Sequence, residues 1–184
     1  MKLRIISGEF KGRFITVPKS DLIRPTADRV RETLFNILSN EIEFENIKVL
    51  DLYSGSGSLG IECLSRGAAK ADFVENNFLI YQNLKKNIEA LNLEAKTEIY
   101  KMDAIKFSKK IPQKKYDLFF ADPPYFKNDI YQVIENLKLN KYFVQNSFMI
   151  IERSIETKDE DTLNFSAEPF KIIGSTCLYK ITPQ

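Results

Sequence analysis

The apolar residues of this chain follow two periods that alternate along most of its length. From residue 47 onward, short continuous apolar runs are separated by stretches in which apolar residues recur every three to four positions. The runs predict strands at residues 47–52, 71–75, 97–102, 116–121, 148–151, 170–173 and 176–181, and the longer stretches predict helices at residues 58–66, 78–91 and 129–139. This alternation predicts an α/β fold, a mostly parallel seven-stranded sheet with helices on both faces.

The two ends of the chain add to this pattern. Residues 3–6 and 14–17 predict an N-terminal hairpin, followed by a helix from residue 25 with Thr26 as its N-cap. Gly174-Ser175 predicts a turn that makes the last strand antiparallel, and the charged residues 158–161 predict an exposed loop. In the helix at 78–91 we expect four residues to face inward, namely Leu79, Leu84, Ile88 and Leu91. We therefore expect an extension at residues 1–40 and a compact domain at residues 41–184.

Composition restricts the chemistry more than the fold. The 184 residues are 43% hydrophobic and 28% charged, and no apolar run approaches the roughly 20 residues of a membrane span, so we expect a cytoplasmic protein, by default a monomer. The absence of histidine excludes Ser-His-Asp triads and Cys-His pairs. Cys63 and Cys177 form no cluster with zinc-ligand spacing, so we expect both in the core and no metal. The net charge of +2 conceals a basic end, because residues 1–31 hold eight basic and three acidic side chains. A polyanion could dock there.

A glycine-rich segment follows the first strand of the alternating region. Gly55, Gly57 and Gly60 form G-x-G-x-x-G between a predicted strand and a predicted helix, which is the context of a nucleotide-type cofactor. The glycines alone do not separate NAD from S-adenosylmethionine (SAM). Asp51, at the end of the preceding strand, would repel a pyrophosphate but suits the ammonium and sulfonium groups of SAM.

Acids also end the following strands. Glu75 can accept the two ribose hydroxyls, although NAD enzymes use the same device. Asp103 lies within reach of an adenine amino group, and Asp122 ends the fourth strand. Four acids at four strand ends favour SAM over NAD.

The fourth strand runs into Asp122-Pro123-Pro124-Tyr125. Prolines fix φ and carry no N–H group, so this turn is stiff and presents mainly acceptors. Asp122 and the carbonyls around Pro123 can accept both hydrogens of an exocyclic amino group, while Tyr125 offers a ring on which a base can stack. The motif predicts an adenine, cytosine or guanine amino group as the target.

These motifs resemble known sequences. Asp51-x-Tyr53-x-Gly55-x-Gly57 with Asp122-Pro123-Pro124-Tyr125 resembles the class I SAM-dependent methyltransferases that modify exocyclic amino groups. Three N-terminal segments resemble the bacterial RsmD family, which methylates guanine N2 in 16S ribosomal RNA. They are Arg4-Ile5-Ile6-Ser7-Gly8, Lys11-Gly12-Arg13 and Arg24-Pro25-Thr26-x-Asp28-Arg29-Val30-Arg31-Glu32-x-Leu34-Phe35-Asn36. Ser7 departs from an expected glycine, and Lys11 from the usual arginine.

The resemblance implies a Rossmann-like methyltransferase fold, SAM as cofactor and 16S ribosomal RNA, in the small subunit or an assembly intermediate, as partner. Asp51, Gly55 and Gly57 would hold the methionine end of SAM, Glu75 the ribose, and Asp103 with Ala104 the adenine. Tyr53 and Asn76 complete the expected cofactor site, and Asp122, Pro123, Pro124 and Tyr125 would place the target base. RNA contacts are expected from Lys11, Arg13, Arg24, Arg29 and Arg31, because basic side chains position phosphates.

Three other functions are compatible with parts of the sequence. A DNA or RNA methyltransferase acting on adenine N6 or cytosine N4 shares the Asp-Pro-Pro-Tyr motif, but the chain has no spare segment for a target-recognition domain. An NAD-dependent oxidoreductase fits the glycines and Glu75 but leaves Asp51 and the two prolines unexplained. A non-catalytic RNA-binding module would not bind SAM at all.

Overall fold

The computed structural model describes residues 1–18, 25–124 and 128–183, with only the backbone described at residues 25–27. The strands in these ranges are β1 (Lys2–Arg4), β2 (Phe14–Thr16), β3 (Lys48–Leu52), β4 (Lys70–Val74), β5 (Thr97–Tyr100), β6 (Tyr116–Ala121), β7 (Phe143–Ser154), β8 (Lys171–Ile173) and β9 (Thr176–Ile181). The α-helices are α1 (Pro25–Glu41), α2 (Ser58–Ser65), α3 (Phe78–Leu91), α4 (Ala104–Ser108), α5 (Asp129–Leu139) and α6 (Lys158–Phe165). The predicted α/β class is confirmed.

The strands β3 to β9 form one seven-stranded sheet in the order β5-β4-β3-β6-β7-β9-β8. Neighbouring strands run parallel from β5 to β7, whereas β9 is antiparallel to both β7 and β8. This confirms the mostly parallel sheet with an antiparallel last strand. The strand order reverses between β3 and β6, and ligands of open α/β sheets bind outside the carboxyl ends of the strands at such a point.

Helices cover both faces of the sheet because its central strands carry apolar residues on both sides. On one face the core contains Val30, Leu34 and Phe35 of α1, Ile61 of α2 and Leu84, Ile88 and Leu91 of α3. On the other face it contains Phe107 of α4 and Ile130, Val133 and Leu137 of α5. Cys63 lies in the first of these cores and Cys177 in the second, so the expectation that both are core residues is confirmed.

The N-terminal hairpin forms as predicted, with β1 and β2 antiparallel, and its loop is attached to α2. The fully buried Glu62 carboxylate accepts hydrogen bonds from the backbone N–H groups of Ile6 (2.8 Å) and Ser7 (3.0 Å). Gly8 approaches the end of α2 so closely that a Cβ atom there would overlap the Ser65 carbonyl oxygen. The hairpin therefore packs against the domain rather than extending freely from it.

Three local predictions are wrong. Residues 158–161 begin α6 instead of an exposed loop, because Asp161 is fully buried against Arg153 of β7. Leu79 is 71% exposed, since it lies in the first turn of α3, before that helix reaches the core. Thr26 lies within α1, which begins one residue earlier, and not at an N-cap. The short helix α4 was not predicted, and β7 extends beyond its predicted residues at both ends.

Candidate active site

Four acidic residues lie at the carboxyl ends of four adjacent strands. Asp51 is the fourth residue of β3, Glu75 directly follows β4, Asp103 lies three residues after β5, and Asp122 directly follows β6. These strands are neighbours in the order β5-β4-β3-β6, so the acids lie on both sides of the point where the strand order reverses. The arrangement is the one that the sequence predicts for a cofactor site.

The glycine loop between β3 and α2 requires glycine for two different reasons. Gly55 and Gly57 have φ values of 55° and 80°, in the left-handed region that favours glycine. A Cβ atom at Gly57 would lie 2.4 Å from a side-chain carbon of Leu84 in α3, so the start of α2 packs closely there. A Cβ atom at Gly55 would meet only the Tyr53 carbonyl oxygen, at 4.0 Å. Open space therefore lies over the first part of the loop, where a ligand could enter.

Asp51 is a buried acid that lacks a compensating cation from the described residues. Its side chain is 2% exposed, and one carboxylate oxygen accepts a hydrogen bond from the Gly60 N–H at 3.0 Å. Burial raises its pKa well above the usual range, the charges of Asp122 and Glu75 add to this effect, and the Gly60 hydrogen bond opposes it. A bound ammonium or sulfonium group would favour the ionised carboxylate, so this environment fits SAM and would disfavour a phosphate.

Glu75 links the end of β4 to the glycine loop. Its buried carboxylate accepts one hydrogen bond from the Gly55 N–H (3.0 Å) and another from the Asn77 N–H (2.7 Å), on different oxygens. Each carboxylate oxygen can accept about two hydrogen bonds, so both remain able to accept a ribose hydroxyl. Asn76 is exposed beside it.

Asp103 caps a helix, and capping uses only one of its oxygens. Oδ1 accepts hydrogen bonds from the N–H groups of Ile105 (2.9 Å) and Lys106 (3.4 Å) at the start of α4. The other oxygen can accept a hydrogen bond from an adenine amino group. Ala104 is buried and presents little bulk, so this edge of the sheet can accommodate a flat ring.

Tyr53 has a strained backbone and a buried hydroxyl group. Its φ is 55°, which is uncommon for a residue other than glycine. Within the described part of the chain the hydroxyl has no partner at hydrogen-bonding geometry, although the carboxylate of Asp129 is close enough to affect it. Burial and then Asp129 raise the pKa of Tyr53. The strain occurs at the cofactor loop, where sparsely populated conformations are common.

Asp122, the residue that directly follows β6, is exposed to solvent. Among the described residues none donates a hydrogen bond to its carboxylate, and neighbouring protein atoms remove part of the hydration of that group. This partial loss of hydration raises its pKa to about 6, whereas the positive charge of Arg153 opposes the rise. Pro123 is buried and Pro124 exposed, and Tyr125 lies outside the described residues.

Two charged residues of β7 beside this motif are not among the site residues predicted from the sequence. Glu152 is half-buried, and burial followed by the charge of Asp122 raises its pKa to about 8. Arg153 is fully buried, and its Nε donates to both oxygens of Asp161 at 2.8 and 3.0 Å. Both residues follow the apolar run of β7, which is a weak signal in the sequence, and the pairing of β6 with β7 brings them to the site.

The predicted RNA-binding residues have different environments. Lys11 and Arg29 are exposed, and Arg24 lies outside the described residues. Arg13 is exposed, donates to the Ala90 carbonyl oxygen at 2.6 Å and lies over the Phe10 ring. Arg31 is buried and donates to the Arg4 carbonyl oxygen at 2.6 Å and to Asp28 at 3.1 Å. This placement favours a structural role for Arg31 over a direct RNA contact.

Two further observations apply to the described ranges. No helix in them is both long enough and apolar enough to cross a membrane. No group of three or more cysteine, aspartate or glutamate residues in those same ranges is arranged to hold a metal ion.

Comparison with known proteins gives consistent matches over most of the chain. A family model described as "Conserved hypothetical protein 95" matches residues 3–181. The chain is 41% identical over 152 residues to "Ribosomal RNA small subunit methyltransferase D" of Buchnera aphidicola subsp. Acyrthosiphon pisum, covering 83% of this chain and 78% of that protein. It is 36% identical over 157 residues to the protein of the same name from Escherichia coli K12, covering 84% and 76%. The solved structure of the Escherichia coli protein yhhF superimposes with a TM-score of 0.81 at 30% identity and 100% coverage of both chains.

Proposed function

Because the chain belongs to the RsmD family, we propose that it transfers a methyl group from SAM to the exocyclic N2 amino group of a guanine in 16S ribosomal RNA. Relatives in this family are named as methyltransferases of small-subunit ribosomal RNA, and the chain is accordingly a SAM-dependent ribosomal RNA methyltransferase. The choice of guanine, and of its N2 atom, is the part that we propose.

The carboxylate of the exposed Asp122, beside the cofactor loop, is the observation that carries this proposal. The pairing of β3 with β6 brings Asp122 next to the carboxyl end of β3, and its charge contributes to the raised pKa of the buried Asp51. The next residue, Pro123, offers a carbonyl oxygen and no N–H group. A carboxylate and a carbonyl oxygen together can accept two N–H hydrogen bonds. An exocyclic amino group donates two, whereas a ring carbon, the alternative target of methylation, donates none. This pairing supports methylation at nitrogen.

In the proposed reaction the chain positions the nitrogen and stabilises the charge that develops on it. SAM, when bound, supplies the methyl group on a positively charged sulfur. Asp122 and the Pro123 carbonyl oxygen accept the two N2 hydrogens, which favours a pyramidal nitrogen and directs its lone pair at the methyl carbon. The methyl group would pass to N2 with the S–C bonding pair left on sulfur, and Asp122 or water would take the proton that N2 releases. With a pKa of about 6, Asp122 is mostly ionised at neutral pH and able to accept that proton.

The target base must leave its stack to reach this site. We place Tyr125 against the extruded base, where its ring would replace the lost stacking. Exposed Lys11 and Arg29, with Arg13 and Arg24, would position RNA phosphates, and buried Arg31 would hold the start of α1 against β1. We also propose that the chain acts in the cytoplasm, as a monomer, on ribosomal RNA within the small subunit or an assembly intermediate.

The proposal is tested with tritiated SAM and small ribosomal subunits from a strain that lacks this gene, followed by nucleoside analysis of the digested RNA. Label in N2-methylguanosine is the expected result, and mapping then identifies the guanine. Label in methyladenosine or methylcytidine would overturn the guanine assignment in favour of the adenine-N6 or cytosine-N4 alternative. The NAD-dependent oxidoreductase and the binding-only module lose their support, because the relatives are methyltransferases.

A further inference from the structure

We propose that Glu152 selects guanine by accepting a hydrogen bond from the ring N1–H of the same base whose N2 amino group is held by Asp122. This inference rests on the proposed guanine N2 reaction and adds a specificity-determining residue to it.

The pairing of β6 with β7 places the two carboxyl groups side by side. The two strands run parallel, and their last registered pair is Ala121 with Ile151. Glu152 is the next residue of β7, and Asp122 directly follows β6. Neighbouring strands lie about 4.8 Å apart, and residues at matching positions project from the same face of a sheet. The charge of Asp122 raises the pKa of Glu152, which agrees with this proximity.

Both carboxyl groups belong to the face of the sheet that α1 and the N-terminal hairpin cover. Phe120 and Ile150, two residues earlier on the same strands, pack in the core on that face, and side chains alternate along a strand. Arg153, the next residue of β7, projects to the opposite face, where it is fully buried against Asp161. Because Glu152 is only half-buried, its carboxyl group can still be reached by a ligand.

The hydrogen-bonding edge of guanine fits two neighbouring carboxyl groups. Guanine presents the N2 amino group, the N1–H and the O6 acceptor in a row, and an adjacent pair of acceptors matches the first two. Adenine and cytosine carry a ring acceptor beside their exocyclic amino group, so an ionised carboxylate at this position would repel them. The protonated form, which the raised pKa of Glu152 favours at neutral pH, also prefers guanine. Guanine satisfies its carbonyl oxygen through N1–H and its hydroxyl through O6, whereas adenine and cytosine offer acceptors but no ring N–H for the carbonyl oxygen.

Thr176 of β9 gives Glu152 support from the other side. It is a buried residue whose interaction with Glu152 lowers the pKa of that carboxyl, against the larger effects of burial and of Asp122. Because β7 lies between β6 and β9 in the sheet, Asp122 and Thr176 affect Glu152 from opposite sides.

The test removes the hydrogen bond once from the protein and once from the RNA. Subunits are assembled with the mapped target guanine or with 2-aminopurine in its place, a base that keeps the N2 amino group but lacks N1–H and O6. Methylation is measured as kcat/KM for wild type, Glu152→Ala and Glu152→Gln. Glu156→Ala, an exposed position a few residues further along, serves as the control.

We expect Glu152→Ala to lower kcat/KM on guanine about 100-fold. The substitution leaves the guanine N1–H without an acceptor, and the free-energy cost of such an unpaired group corresponds to a factor of about that size. The loss caused by Glu152→Ala should be far smaller on 2-aminopurine than on guanine, because 2-aminopurine has no N1–H. Glu152→Gln, whose amide oxygen also accepts N1–H, should recover most activity on guanine. If Glu152→Ala slows both bases by the same factor, or Glu152→Gln is as slow as Glu152→Ala, Glu152 does not read N1–H. Absence of N2-methylguanosine with the wild type would instead refute the proposed function itself.

Discussion

Replacing Glu62 with glutamine should weaken the attachment of the N-terminal hairpin to the methyltransferase domain. The Glu62 carboxylate is fully buried and accepts three hydrogen bonds, from the N–H groups of Ile6 and Ser7 and from Nε of Arg66 at 2.9 Å. A glutamine keeps one acceptor oxygen but turns an NH2 group toward at least one of these donors. The substitution therefore removes a charge and leaves buried donors unpaired at nearly unchanged side-chain volume.

The expected cost follows from these contacts. A hydrogen bond to a charged group contributes about 1.5–3 kcal/mol, and an unpaired buried donor costs about 1–3 kcal/mol. Arg66 keeps its hydrogen bond to the Ser39 hydroxyl and its position over the Phe35 ring, so its own loss is limited. We expect the free energy of unfolding to fall by about 2–4 kcal/mol, a large part of the 5–15 kcal/mol typical of a folded protein.

Urea denaturation measures this loss, and amide hydrogen exchange locates it. We expect the backbone amides of Ile6 and Ser7 to exchange much faster in Glu62→Gln, the Kd for SAM to stay near the wild-type value, and KM for the subunit to rise. Glu43→Gln, at an exposed position, provides the control for removing a negative charge. A change in unfolding free energy below about 0.5 kcal/mol, with unchanged exchange at Ile6 and Ser7, would refute this account of the attachment.

Three shorter predictions concern the site itself. Asp51→Asn should stabilise the protein at neutral pH while weakening SAM binding. The raised pKa means that Asp51 holds its proton to higher pH in the folded than in the unfolded protein, so its destabilising effect grows as pH rises above about 4. The free energy of unfolding, measured by denaturation at several pH values, should therefore depend less on pH in the variant. Gly57→Ala should lower the stability more than Gly12→Ala. Gly12 has a similar φ of 84°, but no atom lies within 4 Å of a Cβ added there. Equal losses in thermal melts would contradict the close packing of Gly57. Asp122→Ala should abolish methyl transfer with little change in the Kd for SAM measured by calorimetry, and near-normal turnover would exclude its proposed role.

The sequence was most informative where local chemistry and burial agree. Helix α3 begins and ends where predicted because Asn77 accepts hydrogen bonds from the N–H groups of Leu79 and Ile80, and Asn92 takes the left-handed conformation that ends it. Strand β6 likewise has its predicted limits, since its apolar run is bounded by charged residues and by Pro123. The prediction failed where burial depends on a partner in another element, as for Asp161 of α6, which is buried against Arg153 of β7.

The candidate site shows the same division. Sequence alone identified the glycine loop, the acids at the strand ends and the Asp-Pro-Pro-Tyr motif, because backbone conformation and ligand chemistry restrict which residues can occupy these positions. The tertiary structure decided which charged residues face one another. Glu152 reaches Asp122 through strand pairing, and Arg31 is buried through its hydrogen bond to the Arg4 carbonyl oxygen. Contacts between residues far apart in the chain depend on how its elements pack, and no local pattern encodes that packing.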